Sequence, residues 1–401
     1  MPKRLKVTVI APDSMRPVLS RTYIIARALM LRYDVEVIRT VTPVENHPYP
    51  IQMYDFPCPY HLVTNRPLPA FRQTAREVLD KITGDVIYAI KPVPTSYGLA
   101  LWAKRQKHLP VVLDIDDWEI FMRYPHSKYM LKNMAYSLPR LRQPDCYAYT
   151  WALDKLTGRA DAVTVVSTFF QRRYGGTILP QGVDVDSFDP ARFDREALRR
   201  EWGLSDFKVL TFIGDAYPHK GLSEVVAALE QAADPAVRLV IAGAGGNPAY
   251  VAELRRHPRV IYLGAQPYEK VPMFLSMADL VVLPQRLGPY SAGQLPNKLF
   301  EALAMGKPVI STRVSDIPQV LDGCGLVVEP GDVRGIAHAI DTLTADDALR
   351  YRLGVAARAK ALNEYTWTRM ADILGEIFAR WETPAAGRAS EQRTREHARI
   401  R

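Results

Sequence analysis

"LPNKLFEALAMGKPVIST", residues 295–312, holds one helix and the strand that follows it. Pro296 suits the first helical position, where a missing N–H costs nothing. Leu299, Leu303 and the group Ala302, Ala304 and Met305 are the packing side chains. Gly306 can end the helix in a left-handed conformation, and Pro308 forbids its continuation. "VIST" then reads as a short buried strand. The run "GPYSAGQ" (288–294) precedes the helix. A flexible loop thus delivers free backbone N–H groups to a helix N-terminus, an arrangement suited to an anion. The one acidic residue of the stretch, Glu301, lies about one turn in. It is either a solvated helix carboxylate or a contact for whatever the N-terminus binds.

Working outward, the same alternation of strand and helix runs through both halves. "LKVTVIA", "DVEVIRT", "DVIYAI" (85–90), "PVVLDID" (110–116) and "ADAVTVVS" (160–167) are strands with helical stretches between several of them. The cycle restarts with "KVLTFIG" (208–214), "VRLVIAG" (237–243), "RVIYLG" (259–264), "ADLVVLP" (278–284) and "KPVIST". The expected fold class is α/β, with two Rossmann-like doubly wound domains facing a cleft. The expected boundaries are residues 1–182 for the first domain, 183–205 for a linker and 206–365 for the second domain. Residues 366–383 form a C-terminal helix packing back on the first domain, and 384–401 a disordered basic tail. The linker reading comes from the Pro- and Asp-rich "ILPQGVDVDSFDPARFD" (178–194).

Composition sets the outer limits. A chain of 401 residues with 48% hydrophobic content can bury large cores. No run of eighteen or more apolar residues occurs, so no transmembrane helix is expected. The N-terminal "MPKRLKVTVIAP" has a short apolar run ending at Pro12 and reads as a first strand, not a signal peptide. Cys58, Cys146 and Cys324 are scattered and lack metal-ligand spacing, which points to a reducing, cytoplasmic compartment. The net charge of +9 favours acidic partners such as nucleotides, phospholipid head groups or nucleic acid, and does not choose among them.

Ligands of doubly wound sheets sit beyond the C-terminal ends of strands. In the second half those ends carry "GDAYPHKG" (214–221), "GAGGN" (243–247), "LGAQPYEK" (263–270) and "GPYSAGQLPNK". Glycines there let a ligand approach the backbone closely. Lys220 is the cation at the mouth of the first of these strands and is either a phosphate binder or an exposed turn lysine.

In combination these residues resemble the retaining, nucleotide-sugar-dependent glycosyltransferases of family 4, which have the GT-B fold. The resemblance covers roughly residues 5–382. It rests on "LPNKLFEALAMGKPVIST" followed by "IPQVLDGCGLVVEPGD" (317–332), and on "ADAVTVVSTFFQRRYG" with "ILPQGVDVDSFDP". It implies that Glu301 accepts the ribose hydroxyls of the nucleotide, a diol that a carboxylate can hold through both oxygens. It puts Lys220 on the diphosphate, with Gly293, Gln294, Leu295, Asn297 and Lys298 around the donor. The acceptor would lie on the first domain, near Asp116 and Asp117 as catalytic candidates. Ser14, Arg16 and Arg21 are candidates for the acceptor or phosphate side. The implied reaction moves a sugar from a nucleoside diphosphate to a glycan or lipid-linked acceptor in cell-envelope, glycolipid or polysaccharide synthesis, with retention of configuration. No cofactor and no metal are expected.

Several positions depart from the family pattern. Gly293 stands where a glutamate is common, eight residues before Glu301. Asp215 stands where an arginine is common, five residues before Lys220. Asp116 occupies the place of a histidine in the first domain, and the loop "APDSMRPVLSR" (11–21) lacks the usual glycine pair. Arg16 and Arg21 are candidates for the missing positive charge. "DID" (114–116) also admits a second reading, a metal-binding Asp-x-Asp as in the other large glycosyltransferase fold.

Residues 118–151 interleave tyrosines and tryptophans with Arg123, Lys128, Lys132, Arg140 and Arg142. Two readings fit. One is a peripheral contact with an anionic membrane on its inner face. The other is a helical insertion whose aromatics are core and whose charges are solvated. No nucleic-acid motif occurs. Two rival functions share the fold: a nucleotide-sugar epimerase, and a non-catalytic GT-B-like partner subunit.

Overall fold

The computed structural model describes residues 4–13, 20–42, 55–123, 130–243 and 245–382. Ser14, Arg16, Lys128 and the basic tail lie outside the described residues.

The first sheet is built from β1 (Lys6–Ala11), β2 (Asp34–Val41), β3 (Tyr60–Thr64), β4 (Val86–Ile90), β5 (Val111–Ile115), β6 (Ala162–Val165) and β7 (Thr177–Ile178). Its order is β3-β2-β1-β4-β5-β6-β7, and every pairing is parallel. The second sheet contains β8 (Lys208–Ile213), β9 (Val237–Ala242), β10 (Val260–Gly264), β11 (Leu280–Leu283), β12 (Val309–Thr312) and β13 (Gly325–Val328). Its order, β10-β9-β8-β11-β12-β13, is again parallel throughout. Central strands such as β4 and β5 are buried along their whole length, as continuous apolar runs in a parallel sheet require. Strand order reverses between β1 and β4, and between β8 and β11. Those two switch points are where a crevice opens in this class of sheet.

The architecture is therefore two Rossmann-like domains. β3, β7 and β13 are additions to the sequence reading. β3 and β13 are edge strands with only partial burial, and β7 is two residues long.

Residues 183–205, read as a linker, are packed instead on the second sheet. Val183, Phe188 and Leu204 belong to its core. Two of the aspartates that suggested a linker are helix caps: Asp189 accepts from the Ala191 N–H, and Asp194 from the Ala197 N–H. Arg199 on the helix Arg195–Glu201 is buried and pairs with Asp279 at 3.0 Å.

The chain crosses between domains at two adjacent places. Val183 bridges Thr366, and its N–H donates to the Tyr365 carbonyl at 2.8 Å. After the second crossing, the helix Trp367–Glu382 returns to the first domain. There Met370, Leu374, Ile377 and Phe378 join Val7, Val9, Tyr88 and Val112 in one core. Phe378 is fully buried, with the Tyr33 ring centroid 5.1 Å away. A Phe378→Ala variant should lose about 3–5 kcal/mol of first-domain stability, the usual cost of emptying a buried aromatic site. Chemical denaturation followed by tryptophan fluorescence checks this, and an unchanged midpoint would contradict the packing described.

Candidate functional site

The helix Asn297–Ala304 begins one residue later than the sequence suggested, with Pro296 as its N-cap. Gly306 takes the left-handed conformation, φ +61°, that stops it. Glu301 is buried on this helix and accepts a hydrogen bond from the Tyr268 hydroxyl at 2.9 Å. Burial pushes its carboxyl up to about 7, against the opposing influence of Tyr268 and Lys298. A solvated helix glutamate is thereby excluded. Glu301, Asn297 and Tyr268 line a cavity of about 410 Å³ between the domains, closed from the first-domain side by Tyr23 and Trp367. Asn297 Oδ1 is buried without a hydrogen-bond partner among the described residues.

The loop before the helix spans the cleft. Gln294 Oε1 accepts from Lys220 Nζ at 3.3 Å, and Gln294 Nε2 donates to Asp117 Oδ1 at 2.8 Å. Burial lowers the Lys220 ammonium below the ordinary lysine range, with Asp117 and Asp215 opposing. Gly293 has a packing reason. A Cβ there would meet Phe169 and Phe170 ring atoms at 2.6 Å, and the Gly293 carbonyl accepts from Ser167 Oγ at 2.8 Å. The Leu295 side chain is buried in the second core.

On the first domain, the end of β4 turns through Lys91, whose φ is +69°. Lys91 Nζ lies 3.3 Å from Asp116, 2.8 Å from Asp117 and 2.5 Å from Glu119. Burial alone would lower this lysine, but the three carboxylates hold it well above its usual range. One cation does not balance three anions. Burial, with Asp117 and Asp114 adding to it, pushes Asp116 up to about 7 against the pull of Lys91. Asp117 is only partly exposed, yet Lys91 and the Gln294 hydrogen bond keep it below the usual carboxylate range.

Arg21 requires a correction. It does not face the cleft. Its Nε and Nη2 donate to the two oxygens of Asp114, each at 2.8 Å, and both side chains are buried. Its remaining donors reach the Leu179 and Pro180 carbonyls and Gln181 Oε1. All five N–H groups of the guanidinium are thus engaged internally. The same pair removes Asp114 from the Asp-x-Asp reading. Both of its oxygens are held by Arg21, and Oδ1 also accepts from Tyr88 and Thr164.

The aromatic segment divides. Trp118, Ile120, Phe121, Tyr147 and Trp151 pack into a small core with Met134, so these aromatics are not surface anchors. Tyr136, Leu138 and Leu141 are exposed at 45%, 66% and 39%, beside Lys132, Arg140 and Arg142. The Arg140 guanidinium lies 3.6 Å from the Tyr136 ring centroid. No helix among the described residues is long and apolar enough to cross a membrane.

The structure thus brings together Asp116, Asp117, Lys220 and Gln294, with Asn297, Lys298 and Glu301 on the adjoining helix. Sequence reasoning missed Lys91, Glu119 and Tyr268. The signal for Lys91 was present: like Lys220, it is a lysine just beyond an apolar strand.

Two parallel α/β domains with facing switch points define the GT-B class, and comparison with known proteins agrees. Residues 207–346 match the family described as glycosyl transferases group 1. A GDP-mannose-dependent alpha-(1-6)-phosphatidylinositol monomannoside mannosyltransferase of Mycolicibacterium smegmatis is 31% identical over 247 residues, 57% of this chain and 64% of the relative. A D-inositol 3-phosphate glycosyltransferase of Corynebacterium jeikeium is 31% identical over 54% of each chain. The chain thus spans less than two thirds of the length of these curated relatives. Among solved structures, Anabaena HepE in complex with UDP-glucose superposes with a TM-score of 0.72 at 19% identity, covering 94% of this chain and 99% of that one. WaaG, a glycosyltransferase involved in lipopolysaccharide biosynthesis, gives 0.67 at 17% identity, covering 92% and 99%. The resemblance to GT-B glycosyltransferases is thus found in sequence and in fold.

The family glutamate cannot simply be restored at Gly293. A Gly293→Glu variant should force Phe169 and Phe170 apart and lose about 1–3 kcal/mol, the range for overpacking. A thermal melt at or above the wild-type midpoint would contradict this.

Proposed function

We propose that this chain is a glycosyltransferase that moves a sugar from a nucleoside diphosphate to an acceptor on the first domain, with retention of configuration. One observation carries the reading. Gln294 joins the candidate phosphate cation Lys220 to the acceptor-side carboxylate Asp117 across a single cleft. A donor seated on the second domain therefore lies next to groups able to orient an acceptor hydroxyl. The names of the curated relatives make GDP-mannose and an inositol-containing acceptor the first candidates.

In this mechanism Glu301 accepts the ribose diol and the helix N-terminus faces the diphosphate. As the glycosidic bond breaks, charge grows on the departing diphosphate and is met by backbone N–H groups and by Lys220. The leaving phosphate takes the acceptor proton, so no protein nucleophile is required. Asp117, held ionised by Lys91, can accept a hydrogen bond from the acceptor. Asp116, near 7, can hold or release a proton at neutral pH. No metal is assigned a step, since Lys220 and the helix dipole face the diphosphate. Neither rival gains support: the relatives are named as transferases, and the departure at Gly293 is explained by packing.

Glu301→Gln should weaken nucleoside diphosphate binding by about 1.5–3 kcal/mol, the worth of a hydrogen bond to a charged group. That is roughly tenfold or more in Kd. Calorimetry with GDP and UDP, repeated in EDTA, is the measurement. Unchanged affinity in the folded variant would sink the assignment, and binding abolished by EDTA would sink the metal-free mechanism.

The exposed tip of Tyr136, Leu138 and Leu141 with its cations supports docking on an anionic membrane that presents a lipid-linked acceptor. Each basic residue near anionic lipid contributes about 1 kcal/mol, and salt screens it. Sedimentation with phosphatidylserine vesicles should show binding that falls as salt rises. Lys132→Glu with Arg140→Glu and Leu138→Asp should abolish it while leaving nucleotide affinity unchanged. Wild type remaining in the supernatant at low salt would refute the docking.

A further inference from the structure

We propose that Lys298 reaches across Gly214 to form, with Lys220, a two-lysine clamp for the donor's diphosphate. The inference rests on the nucleotide-sugar reading above and deepens it. In the family pattern an arginine stands where this chain has Asp215, so one phosphate cation is missing from its usual place. The geometry supplies another from a different element.

Lys298 lies on the first turn of the helix Asn297–Ala304, but its side chain extends to the end of β8. Its Nζ lies 4.4 Å from the Phe212 ring centroid. A Cβ on Gly214 would sit 2.3 Å from that Nζ, so the glycine is what makes room for the ammonium. Gly214 is the first residue after β8, at the switch point with β11, and has φ +122°. Lys220 belongs to the loop that follows the same strand. Both ammonium groups thus converge where the fold class binds its ligand.

The charged groups facing Lys298 are Lys220, Asp215 and Glu301. Behind them stand Asp117 and Gln294 against Lys220, Tyr268 against Glu301, and Tyr262 beside Asp215. Burial, then repulsion from Lys220, brings Lys298 down to about 7, with Glu301 and Asp215 opposing. An anion between the two amines removes the repulsion and restores the ordinary lysine range. Donor binding then takes up a proton at Lys298. Glu301 works in the opposite sense, since it must be ionised to accept both ribose hydroxyls and so releases a proton. The two contributions are separated by comparing variants.

Calorimetry at pH 8 in buffers of different protonation enthalpy, with GDP and UDP as probes, reads both affinity and proton count. Wild type should take up nearly one proton more than Lys298→Met, by proton linkage. The Met variant should also bind at least tenfold more weakly. Lys298→Arg should bind close to wild type but show the proton count of the Met variant, because a guanidinium stays charged. Unchanged affinity and proton count in the Met variant, with Glu301→Gln still weakened, would overturn the clamp and leave the nucleotide reading standing. Should the Met variant fail to fold, a wild-type proton count in the Arg variant would overturn the clamp by itself. Absence of binding of either probe to wild type would overturn both.

Discussion

The buried pair of Arg21 and Asp114 fixes the place where the two domains meet. Asp114 sits near the end of β5, inside a sheet of apolar neighbours, where a buried carboxylate needs hydrogen-bond partners. Arg21 satisfies it through both oxygens and at the same time holds the Leu179 and Pro180 carbonyls and Gln181. Those three residues lie directly before Gly182 and the crossing at Val183. One guanidinium therefore ties the crossing to the central sheet. Removing it would strand a buried charge, a loss of about 3–5 kcal/mol in comparable pairs.

Across the cleft the two domains present different charged groups, carboxylates around one lysine on the first and two lysines beside Asp215 and Glu301 on the second. The first presents Asp116, Asp117 and Glu119 around the single cation Lys91. The second presents Lys220 and Lys298, both depressed by burial. Each side is frustrated on its own: one carboxyl is driven toward neutrality, and so is one amine. Gln294 is neutral and can donate to one side while accepting from the other, which is why an amide can stand at the junction. A ligand with an anionic centre and hydroxyl groups at its periphery matches this division, and a uniformly charged one does not.

Much of this was legible in the sequence, for identifiable reasons. Central strands such as "VIYAI" and "VVLDI" are continuous apolar runs. The helix around Glu301 announced both its ends through Pro296 and Gly306. Edge strands were harder. β3 reads "YHLVT", with polar and apolar residues mixed, and no run of apolar residues marks it. Arg21 was misjudged because a sequence shows a charge but not its burial, and Asp114 lies 93 residues away. Gly293 read only as a departure from the family's glutamate, whereas the two rings that require a glycine there belong to the other domain. The stretch 183–205 misled because aspartate and proline mark helix starts as readily as they mark linkers.

The adjacent crossings at Val183 and Thr366 act as a pivot. A chain that passes between its domains twice at one point leaves them free to rotate about that point and resists sliding, which is hinge geometry and not shear. Opening breaks the bonds on the far side of the pivot: Ser167 to Gly293, Thr168 to Asp316 and Gln294 to Asp117. Three of these four bonds are to carboxylates, worth about 1.5–3 kcal/mol each, so together they fasten the domains by several kcal/mol. The bond from Gln294 to Asp117 is thus also a fastener between the two domains.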